Sequence, residues 1–100
     1  MMRAGAAAFG AALLAGQAHA AGPADAPPGA LSCSGCHAVR APTSTVPAIH
    51  GRPAAEIADA LAAFRAGTRP ATVMNRIAPG FTPAESRDIA AWLSQQPVPR

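Results

Sequence analysis

Apolar side chains in this chain of 100 residues recur at helical spacing, and no stretch alternates in the two-residue rhythm of a strand. Near the C-terminus, Ile89, Trp92 and Leu93 fall at i, i+3 and i+4, one helical face. Thr82-Pro83-Ala84-Glu85 precedes them as a capping box with proline at the first helical position, and Pro97 and Pro99 mark the end. In the middle, Ile57, Leu61 and Phe64 share a face while Glu56, Asp59 and Arg65 lie off it. Pro53 suits the first turn of that helix and Gly67 its C-terminal stop. A third segment, about Ala30–Val39, is bounded by Pro27-Pro28-Gly29 and by Pro42, which pushes its predecessor out of the α region. The pattern predicts an all-α fold of about three main helices, with these stripes as its core.

The first twenty residues read differently. Arg3 is followed by an apolar run through Leu14 and then by Ala18-His19-Ala20, the small-residue pattern of a cleavage site. Residues 1–20 are therefore expected to be a secretory signal peptide, too short for a membrane span and followed by polar, Pro-rich sequence. Residues 21–29 are expected to be a flexible lead-in, 30–96 one domain, and 97–100 a C-terminal tail. A bacterial protein so exported would reside in the periplasm, without stable membrane insertion.

Composition sharpens the picture. Half of the residues are hydrophobic, yet many are alanine, and large apolar side chains after residue 20 are sparse. So short a domain buries a limited share of its surface and often depends on a staple, metal or cofactor. The formal charge is +3, and every basic residue is an arginine. These arginines are scattered and no aromatic residues interleave them, which argues against nucleic-acid binding.

The candidate chemistry sits at Cys33-Ser34-Gly35-Cys36-His37, a C-x-x-C-H motif of covalent c-type haem attachment. Two thiols on one helical turn reach two vinyl groups on one porphyrin edge, and the following imidazole turns to the iron as proximal ligand. Three plainer readings compete. A redox dithiol wants a βαβ pattern, and none is present. A structural zinc wants four Cys or His ligands, whereas beyond residue 20 there are only Cys33, Cys36, His37 and His50. A Cys33–Cys36 disulfide would close a very small loop. For a sixth iron ligand there are two candidates. Met74, the only methionine beyond the leader, offers a soft, neutral thioether, one helix and two loops beyond His37. As a plain residue it would be adaptable core filler. His50 is the rival and would give bis-histidine ligation, but it sits in a loop expected on the proximal side.

Three stretches carry a resemblance: Cys33 to His37, Pro47-Ala48-Ile49-His50-Gly51, and the run from Phe64 to Phe81 with its F-x-x-G-x-R-P-A-T-x-M-x-R-I-A-x-G-F pattern. Together they resemble class I c-type cytochromes, and more narrowly the haem subunit of flavocytochrome c sulfide dehydrogenase, from Leu31 to about Ser94. The resemblance implies a small class I cytochrome c-like fold, its helices wrapped around one covalently bound haem c. It implies that Cys33 and Cys36 hold the ring, that His37 and Met74 are the axial iron ligands, and that the Pro47 carbonyl accepts from the proximal histidine. The chain departs from the family in its short, Pro-rich N-terminal segment, which leaves Leu31 as the large residue available to pack on the last helix. It also departs in Glu56, where relatives often carry an aromatic, and in His50, where a small residue is usual.

A six-coordinate iron leaves no site for substrate, and no Ser/His/Asp set or inward carboxylate pair can be assembled. The expectation is an electron-transfer protein or subunit, not an enzyme by itself. By resemblance its partner is an FAD-containing flavoprotein that oxidises sulfide. The alternatives are a free periplasmic shuttle serving an oxidase or other redox protein and, from another class, a small zinc- or disulfide-stabilised interaction domain.

Overall fold

The computed structural model describes residue 16 and residues 22–38 and 45–98. The expected signal peptide, Gly16 apart, lies outside the described residues, as do Val39 and the last two residues of the tail. Four helices follow one another: α1 (Ala30–His37), α2 (Ala54–Ala66), α3 (Met74–Ile77) and α4 (Pro83–Ser94), and among the described residues there is no strand. Short 3-10 turns lie at Pro23–Asp25 and Ala78–Gly80. The architecture is all-α and consistent with a small cytochrome c-like fold. None of the described helices is long and apolar enough to cross a membrane.

The core is the α2–α4 pair, with α1 also packed on α4. Ile57 and Leu61 from α2 meet Ile89, Trp92 and Leu93 from α4, all buried, with Ala30, Ala78 and Ala90 filling between them. Ile89 and Leu93 are the largest fully buried side chains, each worth about 1.5–3 kcal/mol on the scale of apolar burial. The Thr82 hydroxyl accepts from the Glu85 amide at 3.1 Å and the Glu85 carboxylate accepts from the Thr82 amide at 2.8 Å, so the expected capping box forms. Gly67 ends α2 in the left-handed conformation (φ 74°), and Thr68 N–H returns to the Ala63 carbonyl at 3.1 Å.

Several local expectations are corrected. Pro53 caps α2 from outside, and the helix begins at Ala54. Leu31 does not supply the N-terminal packing: it is 54% exposed, while Ala30 beside it is fully buried. A small residue suits the close approach of α1 to α4, and the helical rotation then turns Leu31 outward. Ahead of α1, the Trp92 indole N–H donates to the Gly22 carbonyl at 3.2 Å, tying Gly22 to α4. Arg65 is half-buried: one of its terminal nitrogens donates to Ser86 Oγ at 2.8 Å, and its Nε is buried without a partner.

Candidate functional site

The site is built first by α1. Gly29 precedes that helix with φ 88°, and a β-carbon there would fall 2.5 Å from Phe81 Cε1, so glycine is required on both counts. One turn on, the Cys33 thiol donates back to the Gly29 carbonyl at 3.6 Å. Cys33 is half-buried against the core, Cys36 is exposed, and both are free thiols. Burial raises the Cys33 thiol above its ordinary value; a backbone hydrogen bond offsets part of this and the neighbouring Cys36 charge adds to it.

His37 closes the helix. Its Nδ1 lies 2.6 Å from the Pro47 carbonyl. A carbonyl only accepts, so Nδ1 carries a proton, and in the neutral ring the lone pair is then on Nε2. The Ile49 amide donates to the His37 carbonyl at 3.2 Å, a second tie between α1 and the segment before α2.

Two cavities of about 290 and 190 Å³ adjoin, sharing His37, Ile49, Ile57, Leu61 and Met74 in their walls. Together they make one apolar slot over the α2 face. Cys33 and Cys36 border the smaller cavity, which Val73, Ile77 and Phe81 also line; Arg52, Glu56 and Arg69 border the larger. Met74 reaches the slot because α3 starts at that residue, a turn that apolar periodicity did not announce. The structure thus brings Cys33, Cys36, His37 and Met74 to one slot.

His50 goes elsewhere. It borders neither cavity, shares a 2.8 Å hydrogen bond with Ser34 Oγ through Nε2, and stands edge-on to Trp92 at 6.4 Å between ring centroids. No three His, Cys, Asp or Glu side chains cluster among the described residues, so the zinc alternative finds no donor set. The slot's chemistry instead fits a haem: thiols at one end, an imidazole with a free lone pair and a thioether in the walls, apolar side chains between, and arginines at the other end. Arg52, Arg69 and Pro47 as slot residues were the part that residue spacing by itself did not reveal.

No family model matches this chain, and no solved structure matches it. A stretch of 63 residues is 43% identical to the cytochrome subunit of sulfide dehydrogenase from Chlorobaculum tepidum, covering 62% of this chain and 57% of that protein. The matched stretch thus spans little more than half of the relative's length, and over it this chain is similar to that cytochrome subunit.

Proposed function

We propose that the chain is a periplasmic monohaem c-type cytochrome that transfers electrons, as a subunit of an oxidoreductase and not as a catalyst in its own right. The observation that carries this reading is the convergence of Cys33, Cys36, His37 and Met74 on one apolar slot, and the similarity to a cytochrome subunit of sulfide dehydrogenase supports it. A haem bound there supplies a one-electron couple at its iron. The chain does the rest. Cys33 and Cys36 would hold the ring edge through their sulfurs and so fix its orientation against α1. His37 keeps its proton on Nδ1, shared with the Pro47 carbonyl, and so presents Nε2 as the proximal ligand in a set orientation. Met74, in the walls of both cavities, would hold the iron through its neutral thioether, a ligand that raises the potential. Ile57, Leu61 and Phe64 give the slot an apolar wall.

The donor is an FAD-containing flavoprotein that oxidises sulfide, a partner inferred from the relative's name and from the resemblance of the Phe64–Phe81 run. Co-purification with a flavoprotein tests it, and an isolated monomer reduced equally by unrelated periplasmic donors would instead make the chain a free shuttle. The haem reading is tested by the reduced visible spectrum, which should show sharp c-type bands, and by Met74→Ala. That variant should lose the near-infrared sulfur-to-iron band and bind carbon monoxide or cyanide. A band that survives Met74→Ala overturns the ligand assignment.

A further inference from the structure

The charged side chains of the slot stand at one end. Arg52, Glu56 and Arg69 border the larger cavity and none of them borders the smaller, where the two thiols lie. Arg52 is paired with Glu56 at 2.8 Å, both about half exposed. Such an exposed ion pair is weak, so Arg52 is easily released to a better carboxylate. Arg69 faces the Phe64 ring, its guanidinium carbon 4.9 Å from the centroid, and among the described residues no carboxylate pairs with it. The three side chains together carry one excess positive charge beside an otherwise apolar wall.

We propose that Arg52 and Arg69 form the carboxylate-binding end of the slot, holding the two propionates of the ring whose opposite edge is tied to Cys33 and Cys36. This rests on the haem reading above. Vinyl and propionate edges lie on opposite sides of the ring, so thiols at one end of the slot send the carboxylates toward the other. Guanidinium forks match carboxylates in two parallel hydrogen bonds, and the Phe64 ring holds Arg69 ready for one of them. Glu56 is the competing carboxylate. Once Arg52 turns to a propionate, Glu56 stays behind as an unpaired negative charge near the ring. The two arginines therefore favour the reduced iron, and Glu56 favours the oxidised.

The test uses exported, haem-loaded protein with two readouts, the propionate bending bands in resonance Raman and the midpoint potential. Arg69→Gln and Arg52→Gln should each shift the bands and lower the potential, moving the ferric-to-ferrous ratio several-fold at fixed ambient potential. Glu56→Gln should raise it. Arg69→Lys keeps the charge and should move the bands while leaving the potential near wild type, which holds the proposal to account even where Arg69→Gln matures poorly. Arg87→Gln, exposed on α4 and bordering neither cavity, removes the same charge elsewhere and should move neither readout. If both glutamine variants keep wild-type bands and shift the potential no more than Arg87→Gln does, the propionate assignment is overturned while the haem reading stands. Wild-type protein without covalent haem would sink that reading first, and this inference with it.

Discussion

Single side chains decide what the slot offers. His37 is useful because one of its nitrogens is already committed: the 2.6 Å contact with the Pro47 carbonyl leaves only Nε2 for a ligand role. His50, with the same chemistry, is spent on packing, its Nε2 on Ser34 and its ring against Trp92. His50→Ala should therefore leave the haem spectrum and spin state unchanged but remove one hydrogen bond and one aromatic edge contact. The expected loss is about 1–2 kcal/mol, measured by denaturant unfolding of haem-loaded protein. A change of spin state in that variant would instead revive bis-histidine ligation.

At the scale of elements, α4 is the rigid reference. Its face of Ile89, Trp92 and Leu93 receives α2, its Leu93 carbonyl accepts from the Gly51 amide at 3.0 Å, and its indole holds the Gly22 segment. Its start depends on the Thr82–Glu85 box, the two bonds of which satisfy amides that an uncapped helix leaves open. Thr82→Ala should cost about 1 kcal/mol in unfolding free energy without altering the haem bands. A substitution that left stability untouched would mean the first turn of α4 is held by packing alone. Periodicity announced α2 and α4 because each buries one continuous stripe. It could not announce α3, four residues long, whose place depends on contacts with α2 and the Ala78–Gly80 turn.

For the whole molecule the balance is narrow. The fully buried large side chains are Ile89 and Leu93 alone among the described residues, and much of the remaining filling is alanine. Val46, Val73 and Ile77, which line the slot, are exposed, so a bound ring would cover apolar surface that this core leaves open. Cys33→Ala combined with Cys36→Ala should leave any haem extractable by acidified organic solvent and sharply lower the yield of folded protein. Full folding of the wild type without haem would contradict this dependence. The compartment is tested separately: mass spectrometry of exported protein should find Ala21 at the N-terminus, after cleavage at Ala18-His19-Ala20. An intact Met1 on folded, haem-loaded protein would refute the signal-peptide reading.

What the sequence determined by itself is what depends on near neighbours along the chain. Cys33, Cys36 and His37 share one helical turn whatever surrounds them, and Gly67 and Thr82 mark helix ends through local backbone chemistry. Facing directions and loop positions were decided only by tertiary structure. Ala30 turned inward in place of Leu31 because α1 and α4 approach closely, and Gly22 docked because an indole elsewhere in the fold needed an acceptor. Met74 and His50 are both loop-borne candidates in sequence. The start of α3 put one on the slot, and the pull of Ser34 and Trp92 kept the other off it, since long-range contacts and not local spacing determine where a loop side chain ends.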